Sequence, residues 1–302
     1  VELAKSLSLP IGRTSLLILD EPTAALNSFQ AERLHDILFE RVKKGVSILY
    51  VSHRLEDVLF VCDEVSVLHE GEIKSTSKTS QLTSKKLIEL MTGRELERHS
   101  NGEPKAYGKL RLGVEDLSTR ELPNPVSLAC HDGEILGVAG LSGSGRSELL
   151  HAIFGLGLER QGRVILYDSE QRSGAQVEIN SPNEAVKNGI GLIAEDRKTQ
   201  GIFANQMLSM NITVAALGKL GNGLNVLFPD REMERTKQLI SSLKIKCLGP
   251  TQTIERLSGG NQQKSLFARW LEVGASVWLL DEPTRGVDAE SKLVIHRLLR
   301  EL

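Results

Sequence analysis

The sequence predicts an α/β chain of buried parallel strands with helices between them, arranged as one partial and one nearly complete copy of the same domain. Three observations predict it. An apolar, strand-length run ending in two carboxylates occurs twice, as LLILDEPTAALN (Leu16–Asn27) and VWLLDEPTRGVD (Val277–Asp288). A glycine-rich turn joins an apolar run to a helical one in EILGVAGLSGSGRSELLHAIFG (Glu134–Gly155). A second glycine pair opens an amphipathic helix in RLSGGNQQKSLFARWL (Arg256–Leu271).

Each copy of the repeat reads as a buried parallel strand because it is continuously hydrophobic, with its polar residues gathered at the carboxyl end. Ligands of open α/β sheets bind outside those carboxyl ends. Asp20-Glu21 and Asp281-Glu282 therefore fall where a ligand would sit. The two copies lie 261 residues apart, the spacing of tandem domains.

The rest follows in order along the chain. Leu34–Lys43 reads as a helix, Val46–His53 as a strand and Arg54–Val61 as a short helix. Glu64–Ile73 reads as a hairpin turning at His69-Glu70-Gly71. Lys74–Lys86 is polar and turn-rich, and KLIELM after it is helical. The polar stretch Glu97–Lys109 is the best linker. The expected division is thus 1–96 for the end of a first domain, 97–109 for the junction and 110–302 for a second domain. That second domain opens with strand-like LRLGVEDL and runs to a helix at Leu302.

Bulk properties narrow the functions. The chain has 302 residues, 40% hydrophobic and 25% charged, enough for two real cores. A formal net charge of −2 supplies no electrostatic reason to expect nucleic acid. The three cysteines, Cys62, Cys130 and Cys247, form no CxxC pair and read as reduced thiols. The sequence has no run of about 18 apolar residues, so no segment of it is expected to span a membrane. The first residues lack a signal-peptide pattern and an initiator Met, which suggests that the start is not a natural one.

Gly140-Leu-Ser-Gly-Ser-Gly145-Arg146-Ser147 fits G-x-x-x-x-G-K-[ST] except that Arg146 replaces the lysine. Gly140, Gly143 and Gly145 let backbone N–H groups converge on phosphate oxygens, with Ser144 between them. The helix that follows, carrying Ser147 and Glu148, adds its positive end. Ser147 would offer its hydroxyl to Mg²⁺. Arg146 is planar and longer than lysine, so phosphate binding is expected to survive while hydrolysis at this loop is slow or absent. In the second glycine motif, Ser258 is placed at a helix N-cap, and Leu266, Phe267, Trp270 and Leu271 form the apolar face.

With Ser258 lying 113 residues after the loop's Gly145 and 23 before Asp281, the chain resembles the ATP-binding subunits of ABC transporters, P-loop NTPase-type proteins. It is more narrowly similar to the tandem subunits of bacterial monosaccharide importers. LSGGNQQK, GLSGSGRSEL, AEDRK (Ala194–Lys198) leading to SMNIT (Ser209–Thr213), and MTGREL (Met91–Leu96) carry the narrower resemblance. It implies ATP and Mg²⁺ as cofactors. Asp20 and Asp281 match the residue that holds Mg²⁺ through water, and Glu21 and Glu282 match the carboxylate that polarises the attacking water. His53 matches the switch histidine that contacts the γ-phosphate. Ser258, Gly259, Gly260 and Gln262 match the signature that caps the ATP of the opposite domain. Glu195 stands where a glutamine that senses the permease is usual, and Asn27 where aspartate is usual. No aromatic lies near Ser118–Asn124, where an adenine-stacking ring would be.

The resemblance implies membrane permease subunits as partners, a sugar-binding protein indirectly, and a peripheral place on the cytoplasmic face of the bacterial inner membrane. The spacings of one copy, carried onto the other, put a first-domain phosphate loop and signature before residue 1 and a second switch histidine beyond residue 302. The chain is therefore expected to be a fragment with little ATPase activity alone. Three functions stay open: the motor of a sugar importer, a soluble ABC protein of translation or DNA repair, and a non-catalytic nucleotide sensor. The short junction speaks against the second, and Arg146 with Glu195 speaks locally for the third.

Overall fold

The computed structural model describes residues 16–23, 26, 28–52, 54–69, 71–93, 107–141, 143–157, 159–167, 176–220 and 228–301. These fall into two compact units, one of residues up to 93 with 288–294, the other of residues 107–287 with 295–301.

In the first unit, β1 (Leu16–Asp20) and β2 (Ser47–Val51) pair in parallel, Leu16 opposite Ser47 and Asp20 opposite Val51. Helix α1 (Ser28–Lys43) connects them and starts six residues earlier than its apolar spacing suggests. Leu17, Leu19, Leu34, Leu38 and Val46 form the core, because alternate β1 residues face α1. The other β1 face is bare, with Ile18 62% exposed. Helix α2 (Leu55–Val61) follows. Then β3 (Glu64–His69) and β4 (Glu72–Lys78) form the expected hairpin. Lys74–Lys78 is strand rather than the polar turn its composition suggests. Cross-strand hydroxyl pairing compensates, Ser66 facing Thr76 at 2.9 Å between oxygens. Helix α3 (Ser84–Thr92) is capped by Thr83, whose side chain accepts from the Lys86 N–H.

In the second unit, β5 (Leu110–Ser118) lies between β6 (Val126–His131) and β7 (Gln161–Tyr167), and β7 pairs β8 (Gln176–Glu178), all antiparallel. Helix α4 (Arg146–Ile153) follows the glycine-rich turn. After α5 (Pro182–Lys187), β9 (Ile190–Ile193) pairs in parallel with β10 (Val277–Leu280), the second copy of the β1 run. Between them come a π-helical turn (Arg197–Gly201), α6 (Leu208–Thr213), α7 (Pro229–Ser242) and α8 (Gly259–Val273). Helix α9 (Ala289–Glu301) ends the described chain, its residues from Ile295 on belonging to this unit.

Helix α8 is the axis of this core. Leu266, Phe267 and Trp270 are buried as its apolar face predicts, with Leu271 partly buried. Gln262, Gln263, Lys264 and Arg269 are buried too, so the helix is enclosed on more sides than amphipathic spacing implies.

The strand expected just before the glycine turn is not formed. Residues 134–140 belong to no strand, and Ile135 is 75% exposed. A parallel strand exists through its neighbours, and an apolar run with none beside it has no ladder to join.

Candidate functional site

The glycine turn has the backbone that its residue types imply. Gly145 adopts φ 92° and caps α4, a region that L side chains enter only with strain. A Cβ at Gly140 would overlap the Ser144 hydroxyl, which would have to turn away to make room. Arg146, Ser147 and Glu148 form the first turn of α4, half-buried at its positive end.

Parallel pairing with β9 delivers the second Asp-Glu to this loop. The Asp281 N–H donates to Ile193 O at 2.9 Å, and the side chain is buried at 5% exposure with Oδ2 lacking a hydrogen-bond partner. A buried carboxylate oxygen without a donor is costly unless a cation satisfies it. Glu282 follows at φ 44°, and Glu21 in the first copy has φ 47°. Two non-glycine residues in the left-handed region at equivalent places mark this turn as strained for position.

Charged side chains converge here. Arg146 Nη1 donates to Glu282 Oε1 at 3.0 Å. Ser147 Oγ donates to Glu195 Oε2 at 3.4 Å, and Arg285 forms an ion pair with Glu195. Arg197 donates from Nη1 to Arg285 O and from Nη2 to Gly286 O, both at 3.0 Å, and from Nε to Gln262 Oε1 at 3.3 Å. Burial pulls the Arg197 pKa below the usual arginine range. Ser258 caps α8 by position, as expected. Its hydroxyl, however, accepts from Asn261 Nδ2 at 2.8 Å rather than from a helix N–H. Gly259 lies against the Arg197 guanidinium, where a Cβ would crowd it. Gln262 Nε2 donates to Ile254 O at 3.3 Å, and Gly260 is buried. A cavity of about 470 Å³ opens here, lined among others by Arg197, Lys198, Glu255, Gly259 and Gln262.

The first unit carries a parallel arrangement. Asp20 is exposed at the end of β1. The Glu21 N–H donates to Val51 O at 2.8 Å, and Ser52 Oγ donates to Glu21 Oε2 at 3.5 Å. Thr23 Oγ1 donates to the buried Asp57 at 2.5 Å. Arg54 lies 3.4 Å from Asp57 and donates to Thr23 O at 3.0 Å. His53, Asn27, Ser142 and residues 97–106 of the junction lie outside the described residues.

The donor set fits a magnesium nucleotide. Mg²⁺ takes one or two carboxylates with waters and phosphate oxygens rather than an all-protein cage. Asp281 Oδ2 and Ser147 Oγ are the groups that would hold it. No cluster of three or more His, Cys, Asp or Glu suited to a metal occurs among the described residues.

Residue-type reasoning overlooked three positions. Arg285 stands where the first copy has Ala24, a difference visible in the aligned repeat. Arg197 lies inside AEDRK, with its role set by carbonyls that no motif marks. Asp57 gives no signal at all, because nothing in the sequence says that it meets Thr23. The cysteines are free, and burial pushes the Cys62 and Cys130 thiols up. Both are expected to react with a disulfide reagent at pH 8 several times more slowly than free cysteine, and a single fast phase covering all three thiols would contradict this.

A parallel α/β pair of strands delivering Asp-Glu to a glycine loop at a helix N-terminus defines a P-loop nucleotide-binding protein. The family model described as ABC transporter matches residues 123–285, and the chain belongs to that family. The ribose import ATP-binding protein RbsA of Caldanaerobacter subterraneus subsp. tengcongensis is 37% identical over 302 residues, covering 100% of this chain and 59% of that protein. RbsA of Clostridium tetani is 35% identical over 302 residues, covering 100% and 58%. The chain thus spans about three fifths of the length of these relatives. A solved ATP-binding cassette, described as a dimeric post-hydrolysis state bound to ADP and Pi, matches with a TM-score of 0.51 at 20% identity. It covers 63% of this chain and 82% of that one, a likeness of fold. No described helix is long and apolar enough to cross a membrane.

Proposed function

We propose that this chain is part of an ATP-binding and ATP-hydrolysing subunit that powers import of a monosaccharide through a membrane permease. One observation carries the reading: a single unit gathers the glycine loop, Glu195, Asp281-Glu282 and the N-terminus of α8 around linked side chains. The names of the RbsA relatives support sugar import. In this reading residues 1–96 close a first ATPase domain, 97–109 join the halves and 110–302 belong to the second.

The roles follow from chemistry. The N–H groups of Gly140, Gly143, Ser144 and Gly145, with Arg146 and the α4 terminus bearing Glu148, hold the phosphates. Asp20, Asp281 and Ser147 are the residues that would hold Mg²⁺, and the ion would supply positive charge to offset that of the phosphates. Glu21 and Glu282 would orient water, His53 would contact the γ-phosphate, and Glu195, which accepts from Ser147, would be a neighbour of the ion. Ser258, Gly259, Gly260 and Gln262 cap a nucleotide held by another ATPase domain. The partners are permease subunits and, through them, a sugar-binding protein, at the cytoplasmic face of a bacterial inner membrane.

Titration of the 302-residue chain with a fluorescent ATP analogue tests the reading. Saturable binding is expected, and Asp281→Asn is expected to weaken it about tenfold with Mg²⁺ but little in EDTA, as for an outer-sphere metal partner. Equal effects with and without Mg²⁺ would remove Asp281 from the metal role. Turnover by this chain is expected to be low; brisk turnover lost in Glu21→Gln and Glu282→Gln would contradict that. A second reading, a nucleotide sensor, is favoured by Arg146, and binding without turnover in the intact protein would select it.

A further inference from the structure

We propose that the Arg146–Glu282 ion pair is a latch on the second phosphate loop: the guanidinium that would meet a phosphate is held by the carboxylate of the same half, and a nucleoside polyphosphate must displace it. This deepens, and rests on, the nucleotide reading of the loop.

The geometry carries it. Arg146 reaches Glu282 with a single 3.0 Å hydrogen bond, not the two parallel bonds of a fork-on-fork pair, so the contact is specific yet exchangeable. The side chains are 32% and 43% exposed, open to solvent and to an arriving anion. Glu282 leaves β10 at φ 44°, a turn that holds its carboxylate toward the loop. The neighbouring carboxylate, Glu195, is taken by Arg285 and Ser147, and that of Asp281 is buried, whereas Glu282 is partly exposed and accepts from Arg146. Arginine matters here. Its several donors let one side chain reach across to the carboxylate, whereas an ammonium is a compact point charge.

Two consequences follow. A terminal phosphate, more highly charged than a carboxylate, wins the guanidinium, so affinity should rise with terminal phosphate charge. Until it does, Glu282 is masked, and the loop and the water-orienting carboxylate change state together.

A double-mutant cycle tests this on the 302-residue chain, with Arg146→Gln, Glu282→Gln and the double variant titrated with fluorescent ATP in EDTA. An exposed pair of this kind limits the effect, so Glu282→Gln is expected to tighten binding about three- to fivefold. In the Arg146→Gln background the same change should do nothing. Equal tightening in both backgrounds would reduce Glu282 to a bulk negative charge and overturn the latch. Arg163→Gln, which removes an exposed ion pair to Glu115 on β5, serves as the control and should leave affinity unchanged. Failure of the wild-type chain to bind ATP at all would instead overturn the nucleotide reading itself, and the latch with it.

Discussion

Replacing Arg269 with alanine is expected to lower the stability of the second unit by about 3 kcal/mol, because one buried and one part-buried carbonyl lose their donors at once. Its Nε donates to Asn211 O at 2.7 Å and its Nη1 to Gly201 O at 2.8 Å, and the guanidinium lies 6.0 Å from the Phe203 ring centroid. These bonds tie α8 to the segment that follows Glu195. Burial alone pushes the Arg269 pKa down from the usual arginine range to about 10. The sign is informative. An unfolded chain holds that proton more firmly than the folded one, so desolvation opposes folding at neutral pH, and this opposition fades as pH rises above about 10 toward the ordinary arginine range. The carbonyl bonds are what hold the residue in place. Urea unfolding measures the loss, and amide exchange over 201–213 should quicken. An Arg269→Lys variant, with one compact head for two carbonyls, should fall between. Wild-type stability in Arg269→Ala would show that water reaches both carbonyls.

Asp57→Ala is the second large effect, a loss of about 2–3 kcal/mol in the first unit. Asp57 accepts from Thr23 at 2.5 Å and pairs with Arg54 at 3.4 Å, and His35 Nε2 lies 4.0 Å away. Truncation leaves the fully buried Thr23 hydroxyl without its acceptor. Arg54 is 36% exposed at its side chain and recovers partly by turning to solvent, which keeps the loss below that of a wholly buried pair. The consequence reaches the site, because Thr23 ends the first Asp-Glu turn and the Arg54 N–H donates to Ser52 Oγ, which donates to Glu21. Asp57→Asn retains an acceptor and should restore most of the stability in urea unfolding. If it falls as far as alanine, the charge on Arg54 rather than the Thr23 bond carries the effect.

The motifs were legible because each depends on residue type at fixed local spacing. The glycines of the phosphate loop, Ser258 ahead of α8 and the doubled Asp-Glu at strand ends needed no tertiary knowledge. The unformed strand at 134–140 shows the limit: its composition is that of a buried strand, but pairing depends on a neighbour that local pattern cannot supply. Lys74–Lys78 errs the opposite way, a polar stretch made strand by the hairpin partner opposite it.

The sequence by itself determined the family, the doubled carboxylate strand and the arginine in the phosphate loop. Those are properties of residue identity and order. Only the tertiary structure decided what the carboxylates do with their neighbours. It put Arg146 on Glu282, Arg285 on Glu195, and left a buried Asp281 oxygen unpartnered. Residues 136 positions apart meet there because parallel β9 and β10 bring distant chain to one edge. Long-range pairing of this kind has no local period in the sequence, so the charge network was visible only once the chain had folded.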